Sequence, residues 1–242
     1  MYGTLLGEIS LACTAMILPS MMLFGVKNYF HYITKPLEMG VGFVLAFFTV
    51  KVDPKTGIWQ GKRADWAHFY DGRLSLALSN FFRDEKASTI VDLGCGTGDY
   101  VKDLRKAKLT CDGFDGNPET PIITGGVCRV ADLTKPRLRL NTLGGKYDWV
   151  VSLEVGEHLP KEHEKTFLDN IVKHARNGIV LSWAKKGQGG LGHVNEQNND
   201  YIEAKLLERN WKRDFQAEEN LRLSTSPHCF WFRDTIMVYR PC

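Results

Sequence analysis

The stretch Ile90-Val91-Asp92-Leu93-Gly94-Cys95-Gly96-Thr97-Gly98-Asp99 decides the fold. A short apolar run, Thr89–Leu93, ends in a turn with glycine at three alternate positions. An amphipathic stretch around Tyr100–Lys106 begins directly afterwards. Glycine permits unusual backbone angles and lets a ligand approach the main chain closely. A helix start presents free N–H groups, which suit an anionic group. A buried strand, a glycine turn and a helix start in that order predict a ligand crevice at a strand end.

Outward from this segment, strands and helices alternate from Ser88 onward. Further strands are expected at Thr110–Asp115, Val127–Ala131, Trp149–Leu153, Ile179–Trp183 and Thr235–Tyr239, with helices around Lys161–Ala175 and Asp200–Arg209. Short apolar strands separated by helices predict a parallel sheet covered on both faces. Upstream, residues 64–83 show helical spacing of Trp66, Phe69, Leu74, Leu76, Leu78 and Phe81. The polar stretch Lys51–Arg63, with Pro54 and Gly57, reads as a linker. Residues 51–87 are thus expected to form a linker and a cap helix ahead of a domain over 88–242.

The G-x-G-x-G loop, with Asp92 before it in the strand end, resembles motif I of the class I S-adenosylmethionine (SAM)-dependent methyltransferases. A dinucleotide site of the dehydrogenase kind is the competing reading of a glycine-rich turn. The resemblance implies a Rossmann-like α/β fold. Its sheet would have seven mostly parallel strands, the last antiparallel, with helices on both faces. It also implies SAM as cofactor, held around Asp92, Gly94, Cys95, Gly96 and Gly98. Asp115, in Gly113-Phe114-Asp115-Gly116-Asn117, would accept hydrogen bonds from both ribose hydroxyls, with Gly116 and Asn117 beside it. Asp132 and Leu133, after the third strand, would sit by the adenine. A simple turn role is the alternative for Asp115 and for Asp132.

Behind the fourth strand comes Glu154-Val155-Gly156-Glu157-His158-Leu159-Pro160. Strand ends of such a sheet face the ligand crevice, so this segment is expected beside the reacting methyl, with Glu154 also within reach of the cofactor. Glu154, Glu157 and His158 are spaced i, i+3, i+4 and would share one face of a helical turn. The segment is similar to the E-V-x-E-H motif of the ubiquinone-pathway O-methyltransferases and of the small-RNA 2′-O-methyltransferases. In the second branch a later histidine completes a metal site, and His193 is placed to do likewise. Glu154, Glu157, His158 and His193 are therefore candidate ligands for Mg or Mn. A metal-free pocket, with Glu157 or His158 as a catalytic base, is the alternative. His68, upstream of the core, is a further candidate base.

The loop Lys185–His193, rich in glycine, is expected either to close over the substrate or to serve as a flexible connector. Neither named branch predicts it. Asn195, Gln197, Asn198 and Asn199 add amides suited to a polar substrate.

Composition narrows the classes. The chain has 242 residues, 43% hydrophobic and 24% charged, with a net charge of +3. That balance disfavours a dedicated nucleic-acid binder, which carries a concentrated basic face. The six cysteines form no C-x-x-C pair, so neither a zinc cluster nor a disulfide framework is suggested. Residues 1–50 are different in kind. Leu11–Val26 and Val41–Val50 are apolar runs, each shorter than the roughly 20 residues of a comfortable bilayer span. A membrane anchor is the first reading, packed amphipathic helices the second, and a cleaved targeting segment the third. No Lys or Arg precedes Lys27, which argues against a secretory signal. If the first run spans, Lys27 and Lys35 leave the catalytic domain in the cytosol.

The expectation is an enzyme that methylates an oxygen of a small molecule or lipid. RNA or protein methylation is the alternative enzyme reading. A non-catalytic, membrane-tethered SAM-binding protein is the alternative from another class.

Overall fold

A computed structural model describes residues 50–62, 68–140 and 145–242. The apolar N-terminal runs and Trp66 lie outside the described residues, as does the anchor they were expected to form. Among the described residues no helix is long and apolar enough to cross a membrane.

The stretch expected as a linker holds a small antiparallel hairpin, β1 (Lys51–Val52) and β2 (Trp59–Gln60). Its turn is closed by Asp53, whose carbonyl accepts from Gly57 N–H at 2.7 Å and whose carboxylate accepts from Lys55 N–H at 2.9 Å. Side-chain capping of this kind is what Asp offers a turn.

The first described helix, α1, runs Gly72–Asp84 and starts later than the spacing predicted. Asp71 fixes that start. Its side chain caps the helix by accepting from the N–H groups of Arg73 and Leu74. The same buried carboxylate accepts from the backbone and hydroxyl of Ser226, tying the helix to the far end of the chain.

The main sheet then forms from β3 (Thr89–Leu93), β4 (Thr110–Asp115), β5 (Arg129–Val130), β6 (Tyr147–Ser152), β7 (Ala175–Leu181), β8 (Trp211–Arg213) and β9 (Met237–Pro241). Between them lie α2 (Asp99–Lys106), α3 (Thr120–Ile123), α4 (Lys161–His174), α5 (Asn199–Leu207), α6 (Phe215–Leu223) and α7 (Phe232–Thr235). The spatial order is β5-β4-β3-β6-β7-β9-β8. Every pairing from β5 to β7 is parallel, and β9 runs antiparallel to both of its neighbours. The expected seven-stranded Rossmann-like sheet is therefore present. The strand β8 was not anticipated, because its three residues show no apolar pattern.

Side chains alternate across the sheet with the period of two that a strand imposes. Val91, Val150, Ile179 and Leu181 point to one core, with Phe167, Leu168 and Ile171 of α4 and Ile202 and Leu206 of α5. Ile90, Trp149, Val151, Val180 and Val238 point to the other, with Leu74, Leu78 and Phe82 of α1, Val101 and Leu104 of α2, and Leu221 of α6. Each such side chain contributes about 1.5–3 kcal/mol on burial. Two dry faces explain why the central strands read as unbroken apolar runs.

The chain order reverses direction between β3 and β6. After β3 it builds outward through β4 and β5, and after β6 outward through β7. Ligands of open α/β sheets bind at such a switch point, beyond the carboxyl ends of the strands. Here those ends carry the glycine loop and the Glu154–His158 segment.

Candidate active site

The two loops touch. Ser152 Oγ at the end of β6 donates to the Leu93 carbonyl at the end of β3, at 2.6 Å. A Cβ on Gly94 would lie 2.3 Å from a Val155 methyl, so only glycine lets the loops approach this closely. Gly94, Gly96 and Gly98 all have positive φ, at 87°, 50° and 70°. Gly98 precedes α2 directly. The N–H of Gly96 donates to Asp115 Oδ2 at 3.0 Å, and Asn117 N–H donates to Oδ1 at 2.9 Å. The loop, Asp115 and Asn117 thus form one connected ledge, with Gly116 between them.

Asp92 is buried below the loop, and burial pushes its carboxyl well above the usual range. Cys95 is buried beside Cys128. Asp132 is partly occupied by its own turn: Oδ1 accepts from Thr134 N–H at 2.9 Å and from its hydroxyl at 2.6 Å. Leu133 is buried behind it.

The hairpin lies across this crevice. Ile58 packs on Gly116, where an added Cβ would meet it at 2.5 Å. Asn117 Nδ2 donates to the Gly61 carbonyl at 3.0 Å. At the other end an added Cβ on Gly57 would meet the His158 carbonyl at 2.0 Å. Trp59 stands between the two ends. Its ring is 5.1 Å from that of His68 and 5.0 Å from that of His158. His68 rests on the glycine loop, its ring 2.2 Å from where a Gly96 Cβ would be.

The Glu-Glu-His segment does not form the single helical face expected of it. Glu154 has φ +52°, a left-handed angle that breaks the turn before the short 3-10 helix Gly156–His158 begins. Its backbone N–H donates to Ser182 Oγ, and its carboxylate accepts from Gln188 Nε2 at 2.8 Å and Thr235 Oγ1 at 3.2 Å. Burial nevertheless raises its pKa.

Glu157, His158 and His193 do converge, with one potential ligand atom from each lying within 4.8 Å of the others. His158 Nε2 is 3.8 Å and His193 Nε2 is 4.0 Å from Glu157 Oε1. Glu157 is fully buried. Burial, then the charge of Glu154, pushes its pKa well up, and the nearby Glu157 and Ala184 backbone offsets part of that rise. No group reaches either carboxylate oxygen with hydrogen-bond geometry, and His158 Nδ1 is also without a partner. Burial and the charge of His193 bring the His158 pKa down to about 3, so its imidazole is neutral at physiological pH.

Two residues outside the candidate ligand set shape this cluster. Trp59 closes it from the hairpin side, and its own Nε1 is buried without a partner. Glu196 holds His193: its Oε1 lies 2.9 Å from His193 Nδ1. The H-x-x-E spacing from His193 to Glu196 was a legible signal. The hairpin's role was not, because two-residue strands leave no periodicity.

The fold agrees with that of known proteins. A family described as "Methyltransferase domain" matches residues 66–222. A magnesium protoporphyrin IX methyltransferase from Synechocystis PCC 6803, solved with S-adenosylhomocysteine, is similar with TM-score 0.53 and 18% identity, over 69% of this chain and 82% of that one. An amino pentose methyltransferase from Micromonospora echinaspora, solved with SAM, gives TM-score 0.51 and 10% identity, over 69% of this chain and 90% of that one. No curated protein sequence matches the chain. At these identities the structural likeness speaks for the fold, and the family match speaks for the class: the chain belongs to the class I SAM-dependent methyltransferases.

Proposed function

We propose that this methyltransferase transfers the methyl of SAM to an oxygen of a small molecule or lipid, at a centre formed by Glu157, His158 and His193. The observation that carries this reading is the orphaned state of the cluster. A buried carboxylate with both oxygens unpaired costs about 1–3 kcal/mol or more, and the fold retains it beside two imidazoles. Such a donor set, one carboxylate and two imidazoles, fits a first-row divalent cation such as Mn, the imidazoles favouring it over Mg. Glu157 Oε1 and Oε2, His158 and His193 would hold it. Glu154, already bonded to Gln188 and Thr235, is left out of the proposed set.

The cofactor would lie on the Gly94–Gly98 ledge, with Asp115 receiving the ribose hydroxyls and Asn117 and Leu133 flanking them. SAM, when bound, supplies a methyl already activated by its sulfonium. The protein's task is alignment and removal of one proton. Gly94 brings the donor ledge against Val155, which leads directly into the acceptor cluster. Trp59, Ile58 and the hairpin backbone cover both and exclude water. A bound cation would lower the pKa of the acceptor hydroxyl and orient its oxygen.

The test is label transfer from methyl-labelled SAM by the full chain into fractionated cell extract, with and without EDTA. Label in a lipid or small-molecule fraction that is lost with EDTA and restored by Mg or Mn supports the reading. Label in RNA or protein, or label indifferent to EDTA, overturns its substrate or its metal half respectively.

A further inference from the structure

We propose that Glu196 is a positioning residue, which fixes the ring of His193 for the acceptor centre and holds the glycine-rich loop 187–192 closed beside it. The inference rests on the proposed role of His193 and adds how that role is maintained.

Glu196 makes three hydrogen bonds in two directions. Oε1 faces His193 Nδ1 at 2.9 Å and accepts from Gly189 N–H at 2.7 Å, while Oε2 accepts from Gly187 N–H at 2.7 Å. A carboxylate only accepts, so the imidazole nitrogen facing it carries the proton. In the neutral imidazole that metal ligation requires, His193 Nε2 is then the lone-pair nitrogen, and this is the atom 4.0 Å from Glu157 Oε1. A ligating histidine that gives its other N–H to a carboxylate is fixed in tautomer and orientation.

The same carboxylate closes the loop. Without it the N–H groups of Gly187 and Gly189 lose their acceptor, on residues with φ of 86° and 71° and no side chains of their own. The ring of His193 packs against Gly190, where an added Cβ would lie 2.2 Å from Nε2. Loop and imidazole therefore brace each other, with Glu196 bonded to both. Gln188 extends the brace to the sheet through Glu154. The glycine-rich loop is thus held by a side chain placed three residues beyond His193.

Two variants, Glu196→Ala and Glu196→Gln, test this against the wild-type chain. Nitrogen-15 NMR of the metal-free protein reports the His193 tautomer, amide hydrogen exchange reports Gly187 and Gly189, and Co2+ titration by visible absorption reports the centre. Wild type is expected to show a single Nδ1–H tautomer and protected glycine amides. Glu196→Ala is expected to mix tautomers, release both amides and weaken Co2+ binding about 10–100-fold. Glu196→Gln keeps one oxygen, so it should retain the tautomer and lose protection at Gly187 alone. An unchanged tautomer in Glu196→Ala, or an unchanged Co2+ affinity where wild type binds Co2+, overturns the proposal. If wild type binds no Co2+ while the tautomer still shifts, the metal reading fails and the hold of Glu196 on His193 stands.

Discussion

The indole of Trp59 meets the imidazole of His158 edge-on, with ring centroids 5.0 Å apart and planes at 84°. One residue from the N-terminal hairpin thereby closes a centre built at the end of a sheet strand almost a hundred positions later. Aromatic pairs of this kind contribute about 0.5–1.5 kcal/mol each beyond their buried area, and Trp59 makes a second with His68. Trp59→Ala is expected to lower stability by about 1–3 kcal/mol and to cut methyl transfer. Trp59→Phe keeps the ring and removes an N–H that has no partner in the protein, so its melting temperature should stay near wild type. Thermal melts and turnover of the two variants check this.

Gly96 carries the second expectation. Its φ of 50° is strained for any side chain, by about 1–2 kcal/mol, and an added Cβ would run into His68 at 2.2 Å. Gly96→Val is expected to abolish SAM binding in equilibrium dialysis while the folded sheet survives, as judged by circular dichroism. Retained SAM affinity would place the cofactor elsewhere.

Much of this is legible in the amino-acid sequence. The alternation of apolar strands and helices predicted the parallel sheet, and the resemblance of the G-x-G-x-G loop to motif I implied the cofactor class. His193 was legible from a resemblance, though the chain alone could not place it 4.0 Å from Glu157. The helical face expected of Glu154, Glu157 and His158 did not form, because i, i+3 spacing assumes a helix and the left-handed φ of Glu154 breaks the turn. The hairpin was hidden for another reason. Its contacts, Ile58 on Gly116 and Gly61 on Asn117, span more than fifty positions, and local pattern carries nothing about such pairings.

Glu157 should show function at odds with stability. Glu157→Met replaces an unpaired buried carboxyl by an apolar chain of similar length. In EDTA the variant is expected to be more stable than wild type by about 1–3 kcal/mol, with methyl transfer lost. Urea denaturation measures the first and label transfer the second. A destabilised variant would mean that Glu157 serves packing.

Glu164 supplies a pH-dependent expectation away from the centre. Burial raises its pKa, but bonds from Lys161, Tyr201 and Asn195 outweigh this and hold it below the usual range. A carboxylate depressed in the folded state stabilises above its unfolded pKa, about 4.3, and loses that contribution as pH falls through the folded value. Glu164→Gln should therefore cost about 1–3 kcal/mol at neutral pH, and the gap to wild type should close on acidification. Paired urea titrations across pH measure it. A gap independent of pH would contradict the assignment.

The most direct test of the central claim is anomalous diffraction from crystals of the full chain grown with S-adenosylhomocysteine and Mn2+. The account predicts the cofactor product along Gly94–Gly98 with its ribose at Asp115, and a manganese peak within coordination distance of Glu157, His158 and His193. Product on the glycine ledge with no manganese at those three residues, or manganese bound elsewhere, would contradict it.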